Sequence, residues 1–276
     1  MIELKPLSKF FDEKDLLDII QCNSQDFAFV SGSLIQGMGN ENSDLDVFVV
    51  TRDFDNVHHP TDIVYDENIK TTFDLINGIT CDIEYWPLKV IEDLINQIND
   101  IDFDDTSIRT FNQIKIEGYS SGQLTSFLHR FIMGIPIANI NLFNELKTKL
   151  NINNYLKLKT RIYVNIVDND YYDIIGNTNK GDIETALILA REVIIKTIGA
   201  YVCFKGQSID RDKWAYYNLR ELAKENAEDK DLLKEVDKVL FFTNLNEESQ
   251  LIDNVEDILF LINKIINKIG NENGGI

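Results

Sequence analysis

The spacing of apolar and polar residues changes character partway along the chain. Before about residue 86, short apolar runs typical of β-strands occur at 27–30, 45–50 and 79–85. From Pro87 onward apolar residues recur every three or four positions, which is the pattern of amphipathic helices. The clearest helical faces are Leu88, Ile91, Leu94, Ile95 and Ile98, followed by Ile183, Leu187, Ala190, Ile194 and Ile198. The pattern predicts an α+β protein, with a region of mixed strands and helices followed by an all-helical region.

The change of pattern also predicts two domains. An acidic segment at 100–105 interrupts the helical spacing, and we place the boundary there, giving domains 1–110 and 111–276. The most apolar stretch, at 183–204, contains Glu184, Arg191 and Lys196, so it predicts a buried or amphipathic helix and no membrane span.

Charge and cysteine content narrow the classes of function. The 46 Asp and Glu residues outnumber the 27 Lys and Arg residues, for a formal net charge of −19. Such a field repels phosphate backbones and attracts cations, so we expect a small-molecule partner and no nucleic acid. The three cysteines lie far apart and form no disulfide or zinc pattern. The start of the sequence has no signal-peptide pattern, and the cysteines suggest no disulfides, so we expect the protein in the cytoplasm. The sequence leaves the oligomeric state open.

The candidate chemistry lies between residues 30 and 50. Gly32 and Ser33 follow the first apolar strand, where a backbone without a side chain and a hydroxyl at a helix start can approach a triphosphate. Asp44 and Asp46 begin the next strand and share one face, with Cα atoms about 6.5 to 7 Å apart. Two carboxylates at this spacing can hold a pair of Mg²⁺ ions about 3.5 to 4 Å apart. The competing interpretation is a loop followed by a solvated strand face.

A third carboxylate would complete such a site. Asp82 and Glu84 lie on one face of the strand predicted at 79–85, and either would lie beside the aspartate pair if the two strands are neighbours. Alternation alone does not choose between them.

These motifs resemble the nucleotidyltransferase superfamily that includes DNA polymerase beta. The resemblance rests on Gly32-Ser33, then Asp44-Leu45-Asp46 ahead of a hydrophobic strand, then an acid on a later strand. It implies a polymerase-beta-like catalytic domain that binds an NTP, expected to be ATP, with two Mg²⁺ ions. Gly32, Ser33 and Ser43 would hold the triphosphate, Asp44 and Asp46 the metals, and Asp82 or Glu84 would be a further metal ligand or the general base.

The helical region resembles the C-terminal domain of aminoglycoside adenylyltransferases. The shared features are the apolar helix at 183–191, Gly199, and Lys213 directly before Trp214-Ala215. The resemblance implies that a lysine, Lys213 or Lys205 further upstream, contacts the nucleotide phosphates. It also implies transfer of AMP to a hydroxyl of a small, cationic acceptor such as an aminoglycoside, hence antibiotic resistance.

Two alternatives share the same residues. One is a nucleotidyltransferase of the toxin and antitoxin type that modifies a protein. The other is a non-catalytic binding protein that keeps the fold.

Overall fold

The computed structural model describes residues 1–57, 64–66, 68–104, 113–243 and 247–272. These residues form two compact units, Met1–Ile152 and Asn153–Ile276. The boundary predicted after residue 110 lies in the segment 105–112, outside the described residues. The observed division falls later because a helix, a strand and a second helix beyond that segment belong to the first unit.

The first unit is built on a mixed sheet. Its elements are β1 (Ile2–Leu4), β2 (Lys9–Phe11), α1 (Glu13–Leu17), β3 (Phe27–Ser31), α2 (Ser33–Gln36), β4 (Leu45–Thr51), β5 (Val64–Asp66), β6 (Ile69–Ile76), β7 (Ile79–Pro87), α3 (Leu88–Asn99), α4 (Ser121–Met133), β8 (Ile135–Ala138) and α5 (Ile140–Lys149). Among the described residues, one sheet has the strand order β5-β6-β7-β4-β3-β8, and β1 pairs with β2 separately. Strands β4 and β7 are parallel, and the other pairs in the large sheet are antiparallel.

The sheet is covered on both faces at β3, which is buried at every position. On one face Val30, Val47 and Ile83 pack in a core that includes residues of β1, α1 and α2. On the other face aromatic rings of the strands meet rings of α4 and α5; Phe29 and Phe48 stack with centroids 4.9 Å apart. The two buried faces differ in side-chain size, so they fix the register of β3 and β4: a one-residue slip would exchange the aliphatic and the aromatic side chains.

The strands predicted at 27–30, 45–50 and 79–85 are confirmed as β3, β4 and β7. The helical face predicted after Pro87 is confirmed as the buried face of α3. The prediction of helix throughout 111–276 is wrong at β8, which pairs with β3. Gly134 and Pro136 end the helical pattern there, and a proline is tolerated in a strand at the edge of a sheet.

The second unit is helical in its described residues. Its helices are α6 (Ile152–Asn179, which starts at the last residue of the first unit), α7 (Ile183–Phe204), α8 (Ala215–Glu225), α9 (Ala227–Phe241) and α10 (Glu248–Glu272). Helix α7 is its centre, since it packs against both α8 and α10 and is buried along most of its length. Among the described helices, none has both the length and the apolar character that crossing a bilayer requires. The expected α+β class, a mixed sheet with helices followed by a helical unit, is confirmed.

Candidate functional site

The parallel pairing of β4 and β7 brings two predicted acids together. Asp46 and Asp82 are Cα partners in this register. Neighbouring strands lie about 4.7 to 4.9 Å apart, and both side chains lie on the same face of the sheet. Asp44 precedes β4 by one residue and is exposed, whereas Asp46 and Asp82 are half-buried.

Gly32 makes room for the Asp46 carboxylate. Its φ of +86° and ψ of −171° lie in a region that residues with a side chain rarely adopt. A Cβ atom at this position would lie 1.7 Å from Asp46 Oδ2. The carboxylate therefore occupies the space that a side chain at residue 32 would fill.

Ser31 adds a hydroxyl that sequence reasoning missed. Ser31 is the Cα partner of Asp46 across β3 and β4. It is fully buried, and its Oγ has no hydrogen-bond partner among the described residues. The alternation of β3 could have indicated that Ser31 shares the face of Asp46, but its apolar neighbours give the sequence no further signal.

Ser33 and Ser43 belong to a tight loop. Helix α2 is a single turn, and the Ser33 carbonyl accepts hydrogen bonds from the backbone N–H groups of Met38 and Gly39, both at 2.9 Å. Ser43 closes the following turn: its Oγ accepts from the Asn40 N–H at 3.0 Å. The structure thus places Ser33 directly after Gly32, while Ser43 shapes the loop leading to Asp44.

The carboxylates repel one another. Burial, together with the charge of Asp44, raises the pKa of Asp82 above its usual value. The described residues contain no group of three or more His, Cys, Asp or Glu side chains placed to hold a metal ion, so Asp44, Asp46 and Asp82 do not converge as a ready three-ligand set. The donor chemistry does fit Mg²⁺, which prefers oxygen ligands, and a bound cation would offset the repulsion that raises the Asp82 pKa.

Glu84 lies one step further along the same face. Its Cα partner on β4 is Phe48, and its Oε2 accepts a hydrogen bond of 2.9 Å from the Trp86 indole Nε1. Of the two acids proposed from the sequence, Asp82 is thus the one level with Asp46. Its chemical role stays a prediction.

Phe73 is a second residue that sequence reasoning missed. It is the Cα partner of Asp82 on β6, and 42% of its surface is exposed. An exposed aromatic ring beside a half-buried carboxylate offers a flat apolar surface to a ligand.

Lys213 belongs to the second unit, and the carboxylates belong to the first. It is exposed in the short turn Asp212–Trp214, with its Nζ 4.9 Å from the centroid of the Trp214 ring. The turn is tied to α6 by the Tyr163 hydroxyl, which donates to Asp212 Oδ1 at 3.0 Å. A role of Lys213 in nucleotide binding stays a prediction.

Of three comparisons with known proteins, the one with solved structures found matches. No protein-family model matches the chain. No curated protein matches it. Among solved structures, the chain is similar to a nucleotidyltransferase-like protein from Exiguobacterium sibiricum, with 10% identity and a TM-score of 0.45 over 90% of this chain and 73% of that chain. The functional assignment below therefore depends on the geometry of the site.

Proposed function

We propose that the protein is a nucleotidyltransferase that moves AMP from ATP to a hydroxyl of a small molecule and releases pyrophosphate. The observation that carries the proposal is the pairing of Asp46 with Asp82 across two parallel strands. Gly32 leaves the space that the Asp46 carboxylate occupies. Carboxylates beside a glycine-containing turn suit a reaction whose catalysis depends on positioning and charge neutralisation.

Each residue has a proposed part in the reaction. Asp44 and Asp46 would hold Mg²⁺, which when bound neutralises charge on the triphosphate and on the reacting oxygens. Gly32 lets the backbone approach the phosphates closely, and Ser33 and Ser43 offer hydroxyl groups to them. Lys213 is a further candidate for phosphate contact.

Asp82 is proposed as the base. The acceptor oxygen attacks the α-phosphorus, the bond from that phosphorus to the pyrophosphate oxygen breaks, and the hydroxyl proton passes to the Asp82 carboxylate. A raised pKa makes a carboxylate a better proton acceptor, and burial raises that of Asp82.

The acceptor is proposed from charge. A net charge of −19 attracts cations, which suits a hydroxylated cation such as an aminoglycoside. Cytoplasmic ATP would supply the nucleotide.

The experiment that tests this proposal uses α-labelled nucleotides. The protein is incubated with each labelled NTP, with Mg²⁺ or with EDTA, and with a panel of aminoglycosides, simple sugars or cell lysate, and products are identified by mass. We expect a labelled small molecule that appears with ATP and Mg²⁺ and is absent with EDTA. Label on a protein would instead indicate the protein-modifying alternative. No product with any NTP would contradict the proposal.

A further inference from the structure

A pocket of about 240 Å³ opens on the sheet face that carries Asp82. Strands β4, β6 and β7 form its floor and helix α4 forms its wall, so it belongs wholly to the first unit. Among the described residues, its polar lining consists of Thr71, Glu84, Gln123, Ser126 and Arg130. Its apolar lining includes Phe48, Trp86 and Phe127, which are almost fully buried, and the Phe127 ring packs against the other two.

The charged groups of the pocket are held in place. The Trp86 indole donates to Glu84 Oε2, which fixes that carboxylate. Arg130 donates from Nη1 to Ser126 Oγ and lies over the Phe48 ring, 5.9 Å from its centroid. A site whose polar groups are already positioned loses less conformational entropy when a ligand binds.

The pocket lies beside the carboxylate that we propose as the base. Glu84 follows Asp82 by two residues on one face, a distance of about 6.5 to 7 Å along the strand. On β6, Thr71 is the partner of Glu84 and exposed Phe73 is the partner of Asp82. A ring bound beside Glu84 can therefore extend a hydroxyl to the Asp82 carboxylate across the surface of Phe73.

The lining also indicates what kind of group fits. The volume is below the roughly 300 to 1,000 Å³ of pockets for drug-sized ligands, which limits the occupant to about one ring. Carboxylate, amide, hydroxyl and guanidinium groups together offer both donors and acceptors. Among the described lining residues, the negative charge of Glu84 is offset by the positive charge of Arg130, although the chain carries −19.

We propose that this pocket is the acceptor subsite and binds a single polyhydroxylated ring, such as one sugar unit, whether or not the ring carries an amino group. The proposal rests on the proposed nucleotidyl transfer. It differs from a general attraction of cations, since the hydrogen-bonding groups of the lining select hydroxyl groups and not charge.

The test measures sugar binding without nucleotide. Glucose and glucosamine, a neutral and a cationic form of one ring, are titrated against the full chain by saturation-transfer NMR. At about 0.15 M salt, which screens the field of the chain, we expect both to bind with dissociation constants within about threefold of each other, because the opposite charges of Glu84 and Arg130 offset each other in the lining. We expect Glu84→Gln to weaken both by about tenfold or more, because a hydrogen bond to a charged group is lost. Thr71→Val, which keeps the shape of the side chain, should weaken both less. The matched control is Glu92→Gln on α3, outside the pocket, which should bind as the wild type does.

The outcomes separate this inference from the proposed function. The pocket assignment would be overturned if neither glucose nor glucosamine bound, or if neither Glu84→Gln nor Thr71→Val changed the binding. This holds even if labelled ATP is transferred to other acceptors. Binding of glucosamine alone, abolished by high salt, would also overturn it. Sugar binding that depends on Glu84, in a protein that transfers no nucleotide, would support the pocket and contradict the proposed function.

Discussion

Replacing Gly32 by alanine should disable the site and weaken the fold at once. The Gly32 backbone, at φ +86° and ψ −171°, costs a residue with a side chain about 1 to 3 kcal/mol. For a domain of this size, each kcal/mol lowers Tm by about 2 to 4 °C, so we expect a loss of several degrees.

The effect on the reaction should be larger than the effect on stability. The new Cβ would lie 1.7 Å from Asp46 Oδ2, whereas ordinary van der Waals contact begins near 3.4 Å. The carboxylate must move by well over 1 Å, and a displacement of about 1 Å at reacting groups costs roughly a hundredfold in rate. Transfer from labelled ATP should fall by about that factor or more.

Gly78→Ala is the matched control. Gly78 lies in the β6–β7 hairpin at φ +78°, and a Cβ there would meet nothing within 4 Å. This variant should lose stability from backbone strain but keep its transfer rate. Equal transfer rates in the two variants, each measured with its Tm, would refute the idea that Gly32 exists to seat Asp46.

Three further predictions concern titration and burial. Burial and the charge of Asp44 raise the pKa of Asp82, so the folded state is more stable with Asp82 protonated, and this stability is lost as pH rises through that pKa. In EDTA at pH 7, Asp82→Asn should therefore have a higher free energy of unfolding in urea than the wild type. This difference should vanish below pH 4, where Asp82 is protonated in both the folded and the unfolded state. Tyr201→Phe should lower the free energy of unfolding by about 1 to 3 kcal/mol, because buried Asp229 loses a hydrogen bond of 2.6 Å, and an unchanged urea midpoint would contradict this. Burial raises the pKa of all three free cysteine thiols to about 11 or 12, so a thiol reagent at pH 8 should label the native protein slowly and the urea-unfolded protein fast; rapid native labelling would show that a thiol is accessible.

Sequence patterns predicted the local parts of the site but not their register. Apolar runs located β3, β4 and β7. The spacing predicted Asp44 and Asp46 on one strand face, but only Asp46 lies in β4, because the strand begins at Leu45 and Asp44 belongs to the preceding loop. Alternation treated Asp82 and Glu84 alike, and only the pairing of β7 with β4 showed that Asp82 is level with Asp46. Non-local pairing of this kind leaves no trace in a single strand's pattern.

The features that the sequence did not reveal depend on tertiary packing. Strand β8 has four residues between two helices, so its pattern is too short to predict a strand, and it forms because β3 offers a free edge. The pocket beside Glu84 exists because α4 packs across the sheet, which brings Arg130 over Phe48 from a segment more than 80 residues away. Charge and the family resemblance predicted a cationic acceptor, whereas the pocket geometry leads us to propose a polyhydroxylated ring with or without an amino group.

The most direct test of the account compares Asp46→Asn with a surface control in the labelled ATP assay. Asp93→Asn on α3 removes an exposed carboxylate away from the sheet face and should leave transfer unchanged. Asp46→Asn should keep the wild-type circular dichroism spectrum, while its Mg²⁺-dependent release of pyrophosphate and its labelled product fall to background. Wild-type turnover by folded Asp46→Asn protein would contradict the assignment of the site and of the reaction.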